Sequence, residues 1–177
     1  LRYNPARRRR MPNKTDIIVI LHNIRSVHNV GSIFRTAEAA GVSKLYLSGI
    51  TPLPLDRFGK VRRQLAKVSL GAERTLAWDG SVRSPRATMQ LLKKLKREGY
   101  KIFAVEQSKN SIPYYSLKPK TYHLKPITLI FGNEVTGLPP SVLKQADKIL
   151  EIPLVGSKES LNVSVAVGIV VFRLLHP

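Results

Sequence analysis

The chain has 177 residues, 43% of them hydrophobic, which is enough for one domain with a real core, and it sets 30 Lys and Arg against 11 Asp and Glu for a formal charge of +19. A charge of that size, opposite in sign to a phosphate backbone, points to nucleic acid as the macromolecular partner; a membrane surface is disfavoured because neither an amphipathic basic helix nor an anchor accompanies the charge. The absence of cysteine excludes disulfides, thiolate nucleophiles and cysteine-based metal sites.

Residues 1–15, LRYNPARRRRMPNKT, contain five arginines and no acid, a composition expected to form a basic arm without a packed core, ahead of a single domain over 16–177. No apolar stretch precedes Ile17 that would suit a secretory signal, so the cytoplasm is the expected compartment. Residues 17–21 (IIVIL) suit a buried strand and 44–49 (KLYLSG) a second, with a helix between them starting near Asn29. That βαβ unit implies parallel pairing. Val30, Ile33, Phe34 and Ala37 form the apolar stripe of the helix, and Gly41 is placed to end it.

Residues 50–83, punctuated by Pro and Gly and basic around Lys60, Arg62, Arg63 and Lys67, read as loop with one short helix. Ser84-Pro85 signals a helix start, Met89, Leu92 and Leu95 give that helix its apolar face, and Gly99 stops it. A strand over 101–105, a polar loop to about Pro126, a strand over 127–131, a short helix after Pro139-Pro140, a strand over 148–152 and a final helix complete the chain. The alternation predicts a three-layer α/β domain with a mostly parallel sheet. The apolar run 161–175 is shorter than the roughly 20 residues a bilayer demands and reads as a buried helix.

Three polar patches carry the candidate chemistry. In the first, residues 22–41, Asn29 can either cap the helix or face a ligand at the C-terminal edge of the sheet. Arg35 lies about 240° round the helix from Asn29, away from the apolar stripe, where it is either presented to a ligand or simply solvated. The second, FGNEVTGL (131–138), follows a strand with two glycines and one carboxylate, Glu134, and is also what a tight strand-to-helix turn would look like. The third runs from Ile152 through a loop to Ser160, a good N-cap, and on to Asn162 and Ser164 on an otherwise apolar helix that must be covered by the sheet, a second subunit or both. Neither GxGxxG nor a Walker-type GxxxxGK[ST] occurs.

In this order the three patches resemble the motifs of the SpoU/TrmH family of RNA ribose 2′-O-methyltransferases, within the SPOUT class, over roughly residues 17–175. The resemblance implies a C-terminal deep trefoil knot, against the general rarity of knots. It also implies a homodimer formed through the knot region and C-terminal helix, and S-adenosylmethionine as cofactor. Carried over, Arg35 matches the family's catalytic arginine, and Asn29, Glu134, Ser160 and Asn162 match polar residues of the active site. The backbone of the second and third motifs, around Ile130, Gly132, Ile152 and Leu161, together with Ser160, matches the positions that hold the cofactor. No metal is implied, since a sulfonium methyl donor needs only an aligned and activated oxygen.

A free arginine, with a pKa near roughly 13.8, is a poor base at neutral pH, so Arg35 is expected to orient the hydroxyl and stabilise developing alkoxide charge, with Glu134 as the alternative base. Arg7, Arg8, Arg9, Arg10, Arg62 and Arg63, with the basic face of Lys93, Lys94 and Arg97, are the expected phosphate contacts on a structured RNA, whether tRNA or rRNA. A non-catalytic RNA-binding or ribosome-assembly factor and a base-nitrogen methyltransferase are the competing readings.

Overall fold

The computed structural model describes residues 16–117 and 126–176. The expected basic arm, with Arg7, Arg8, Arg9 and Arg10, lies outside the described residues. Strand β1 (Ile17–His22) is buried along its whole length, as a strand covered on both faces must be. Helix α1 (Val27–Ala40) begins at the N-cap Ser26, whose Oγ accepts the Asn29 N–H at 3.2 Å, and ends at Gly41, whose positive φ of 87° lets its N–H close on Ala37 O and Glu38 O. The helix therefore starts before Asn29, which leaves the Asn29 side chain free for other partners.

Strand β2 (Lys44–Ser48) follows. The segment read as loop with one helix in fact holds two short helices, α2 (Arg63–Ser69) and α3 (Ala72–Thr75), and an edge strand β3 (Ala77–Asp79). Three residues are too few to show a period of two, so β3 is defined by its pairing with β2 and not by its own pattern. Helix α4 (Pro85–Arg97) leads to β4 (Lys101–Val105). The expected polar loop contains a two-residue strand, β5 (Ile112–Pro113), again too short to be read locally. Strand β6 (Ile127–Phe131), helix α5 (Pro140–Leu143), strand β7 (Lys148–Glu151) and helix α6 (Val163–Leu175) complete the fold. The N-cap of α6 is Asn162, not Ser160: its Oδ1 accepts the Ser164 N–H at 2.8 Å.

The seven strands form one sheet in the order β3-β2-β1-β6-β4-β7-β5, and every pairing is parallel. Alternate residues of each strand serve opposite faces. Ile17, Val19, Leu21, Leu129 and Phe131 pack with α1, α2 and α6, including Phe34, Leu65 and Val170. Ile18, Ile20, Ile102 and Ile130 pack with Leu92 and Leu95 of α4 and Val142 of α5. The three-layer architecture expected of the alternating pattern is therefore present. The connections out of the neighbouring strands β1 and β6 lead to opposite sides of the sheet, through α1 on one face and α5 on the other. Such a switch point opens a crevice at the C-terminal ends of the strands.

Thr128 on β6 is fully buried, and its hydroxyl has no hydrogen-bond partner among the described residues. An unpaired buried hydroxyl costs free energy that an isosteric methyl does not. Thr128→Val is expected to raise the stability by about 1 kcal/mol, read as a higher urea midpoint at unchanged slope; a lower midpoint would show that the hydroxyl is satisfied in solution.

Candidate active site

The loops that leave β1 and β6 meet at that crevice, and Glu134 is where they join. Its Oε2 accepts the Arg25 N–H at 3.0 Å, and its Oε1 accepts the Ser26 N–H at 3.3 Å and the Asn29 amide at 3.1 Å. The Oδ1 of Asn29 in turn accepts from Nδ2 of Asn162 at 3.1 Å, and Asn162 Oδ1 accepts both the N–H and the hydroxyl of Ser164. One polar chain thus runs from the second patch through the first to the third, ending at the cap of α6. Burial on its own would push the Glu134 carboxyl up, but the N–H groups of Arg25, of Glu134 itself and of Ser26, with the Asn29 amide, outweigh it and hold the group below the ordinary glutamate range. A carboxylate so occupied is a positioning group and a weak base.

The loop carrying Glu134 is shaped by close backbone approach. A Cβ at Gly132 would lie 2.5 Å from the Gly137 carbonyl carbon and 2.6 Å from Leu138 N, and Gly137, at φ 64°, faces the Glu106 carboxylate. Asn133 ties the turn together, its amide donating to Asn23 O at 2.7 Å and its Oδ1 accepting the N–H groups of Val135 and Thr136. Glu106, at the end of β4, accepts the Leu138 N–H at 2.8 Å.

Beside this junction lies a cavity of about 330 Å³, within the range of small-molecule and cofactor sites. Val105, Phe131, Ile152, Leu154 and Leu161 supply its apolar wall, and Gly132 and Ser160 also line it. Four of the chain's eleven acids, Glu106, Glu134, Glu151 and Glu159, stand round it. None of the four is in an ion pair among the described residues; Glu151 accepts instead from the Ser111 hydroxyl at 2.8 Å. A cavity with this lining favours a cationic ligand that has an apolar portion.

Of the expected site residues, Asn29, Glu134 and Asn162 come together in the polar chain, and Gly132, Ile152, Ser160 and Leu161 line the cavity. Ile130 does not; its side chain sits in the core on the α4 face of the sheet. Arg35 is exposed on α1, six residues and about 9 Å along the axis from Asn29, and it is not part of the cavity wall. Arg62 is half-buried, with Nε donating to Leu53 O at 3.1 Å, so one of its donors serves the local fold; Arg63 is exposed.

A layer of polar residues beneath the rim could not be read from the sequence. His22 Nδ1 lies 2.7 Å from Ser48 Oγ, which meets Thr88 Oγ1 at 3.2 Å, while the Asn23 amide donates to His22 Nε2. Burial holds the His22 pKa down, consistent with a neutral ring that donates at one nitrogen and accepts at the other. Asn23 has a positive φ of 60°, and a Cβ on Gly49 would strike its Oδ1 at 1.8 Å. An asparagine at a strand end was the one available signal, and it marks many ordinary turns as well.

The family model of the SpoU rRNA Methylase family matches residues 16–172. The chain is 32% identical over 158 residues to a tRNA (guanosine(18)-2′-O)-methyltransferase of Aquifex aeolicus, covering 89% of this chain and 68% of that protein. It is 32% identical over 166 residues to a 23S rRNA (guanosine-2′-O-)-methyltransferase of Blochmanniella floridana, covering 93% and 59%. Among solved structures, an AdoMet-bound rRNA methyltransferase from Sinorhizobium meliloti superposes with a TM-score of 0.77 at 29% identity, over 98% of this chain and 60% of that one. The A. aeolicus TrmH/SpoU tRNA modifying enzyme gives 0.75 at 31% identity, over 92% and 75%. The chain thus spans about two thirds or less of the curated relatives it matches.

Removing the charge of Glu134 separates its structural from its chemical role. Because its folded pKa is depressed, its contribution to stability is complete above the ordinary glutamate value of about 4.3 and is lost as pH falls through the folded value. Glu134→Gln is expected to lower stability by about 1 kcal/mol at neutral pH, and the gap to the parent protein should close as the pH is brought below about 4. Chemical denaturation at several pH values checks this; a gap independent of pH would mean that the charge is not what holds the loops.

Proposed function

The chain belongs to the SpoU rRNA methylase family, and on that premise we propose that it transfers a methyl group from S-adenosylmethionine to a ribose 2′-hydroxyl of tRNA or rRNA. The observation that carries this reading is the pairing of the polar chain Glu134–Asn29–Asn162 with an apolar cavity ringed by carboxylates on a protein of charge +19. The cofactor bears a net positive charge and an adenosine, which fit that lining. Ile152, Leu154 and Leu161 would enclose its apolar portion, and the turn 132–138, which Gly132 allows to fold tightly on itself, would form the wall beside it. Bound there, the cofactor supplies an electrophilic methyl on a sulfonium.

The chain's own residues must then place and activate the oxygen. Asn29 and Asn162, held in register by Glu134, offer amide groups at the rim of the cavity where a ribose hydroxyl can be oriented. Arg35, exposed on α1 and outside the cavity wall, would act from the RNA side. It pairs with the phosphate beside the reacting sugar and stabilises the developing alkoxide while the hydroxyl proton passes to a water or a phosphate oxygen of the RNA; guanidinium geometry suits that task better than general base catalysis does.

The finer architecture belongs to the same proposal. Strand β7 lies beyond β6 and β4 from β1, yet α6 returns to pack against α1, so the chain must cross back over the C-terminal edge of the sheet. That path supports a deep C-terminal trefoil knot. Val165 and Phe172, seven residues apart on α6, stay exposed on one side of the helix, which supports a homodimer formed through this helix and the knot, with the exposed Arg35 of the neighbouring α1 near the interface. Residues 16–177 would form one methyltransferase domain, residues 1–15 a phosphate-binding arm, and the cytoplasm would be the place of action. Among the described residues no helix is long and apolar enough to cross a membrane.

Methyl transfer from labelled cofactor to total RNA, with nuclease mapping of the product, tests the reaction. Arg35→Lys is expected to cut the rate at saturating RNA and cofactor by about a hundredfold or more, with calorimetric affinity for S-adenosylmethionine unchanged. A near-normal rate would remove the specific role of the guanidinium, and failure of the parent protein to bind the cofactor would overturn the reading as a whole.

A further inference from the structure

The segment between β2 and α2 carries a feature that the methyl-transfer site does not use. Residues 55–61 form a small closed loop: Leu55 and Val61 bridge antiparallel, and the Asp56 N–H donates to Lys60 O at 2.8 Å. Asp56 Oδ1 accepts the N–H groups of Phe58 at 2.8 Å and Lys60 at 2.9 Å, and Gly59 takes the positive φ of 75° that the turn requires. The tip is therefore held by its own hydrogen bonds. At that tip Phe58 is 70% exposed, with the Arg57 guanidinium 4.7 Å from its ring centroid. A large aromatic held out in water by a rigid turn is unusual for a protein that had every opportunity to bury it.

We propose that Phe58 is a stacking platform for an unpaired base of the RNA, placed on the same rim as the methylation site. The inference rests on the RNA reading given above. Charge selects the occupant: Arg57, Lys60, Arg62 and Arg63 fall within this segment and the start of α2, with Lys67 in the last turn of that helix, against the single acid Asp56, whose carboxylate is taken up by the loop's own N–H groups. Phosphates suit that surface, whereas an acid-poor apolar protein partner would gain nothing from it. Arg57 lies against the ring, and the exposure of the residue leaves ring surface open for a base to stack, with a cation–π contribution from the guanidinium.

The root of the segment is bolted to the active-site rim. The Ile50 N–H donates to Asn23 Oδ1 at 3.1 Å, Thr51 Oγ1 donates to Leu21 O at 2.9 Å, and the same hydroxyl accepts the Ile24 N–H at 3.1 Å. Ile24 directly precedes Arg25 and Ser26, the residues that Glu134 holds. Arg62 closes the loop back on this root, its N–H donating to Pro54 O at 2.8 Å and its Nε to Leu53 O at 3.1 Å, so a base on Phe58 would be held through one hydrogen-bonded segment to the rim that carries Asn29.

The test uses the full chain with two fluorescent RNAs, a stem-loop with an unpaired loop and an uninterrupted duplex of similar length, titrated at several salt concentrations. The parent protein is expected to prefer the stem-loop. Phe58→Ala should weaken stem-loop binding by about tenfold and erase that preference while leaving the slope of log K against log salt unchanged. Phe58→Trp should restore it, and Arg57→Ala with Lys60→Ala should reduce the slope by about 1 to 2. In methyl transfer, Phe58→Ala should raise the RNA KM with kcat kept. Salt-dependent binding by the parent protein that Phe58→Ala leaves intact overturns the platform alone. No RNA binding by the parent protein overturns the RNA reading and the platform together. A shift of Phe58→Ala to a smaller oligomer by light scattering overturns the platform in favour of a contact between copies.

Discussion

One carboxylate holds the working edge of this protein together. Helix α1 has no acidic residue in its first turn, so although the Ser26 hydroxyl caps the Asn29 N–H, no local charge offsets the positive dipole end of its N-terminus. The missing charge comes from Glu134, more than a hundred residues along the chain, through bonds to Arg25, Ser26 and Asn29. That arrangement is possible only because β1 and β6 are parallel neighbours whose C-terminal ends lie side by side, in the register Leu21 to Phe131. The same bonds place the Asn29 side chain, and through it Asn162 and the start of α6. The helix cap, the loop conformation and the site geometry are one interaction seen at three scales.

The charge distribution follows a division of labour. The thirty Lys and Arg of the sequence give the chain as a whole its attraction for phosphate, and the described ion pairs lie away from the cavity. Four carboxylates gathered round the cavity produce the opposite local sign, although their structural duties differ: Glu106 and Glu134 hold backbone N–H groups and Glu151 holds a serine hydroxyl. On the proposed reading, a polyanionic substrate and a cationic cofactor would be drawn to adjoining regions of this small protein without competing for the same surface.

Rigidity beneath the rim complements this. His22, Ser48 and Thr88 share buried polar contacts, and Asn23 and Thr51 join the end of β1 to the loop after β2. A neutral, fully engaged histidine costs little in a dry layer, whereas a charged one would have to be paired. The loops that carry the candidate site residues therefore stand on a buried, hydrogen-bonded base, the arrangement that suits precise alignment on an α/β scaffold.

Much of this protein is determined by local sequence. Helix α1, with its stripe of Val30, Ile33, Phe34 and Ala37, and α4 are legible because burial on one face imposes a period that a window of a dozen residues contains, and the long strands β1 and β6 because burial on both faces makes them short continuous apolar runs. The order of the three polar patches was likewise readable, and with it the family. The edge strands β3 and β5 were not, because two or three residues have no period and exist as strands only by pairing with β2 and β7. The true caps, Ser26 and Asn162, were missed for a related reason: each helix offers several capping side chains, and the one used is chosen by what lies across the crevice. Only the tertiary structure decided that Glu134 serves α1, that four acids face one cavity, that Arg35 stands apart from the polar chain and that Phe58 is held out in water. Each of these depends on a distance between residues far apart in the chain, and such distances are set by the stacking order of the sheet, which no local pattern contains.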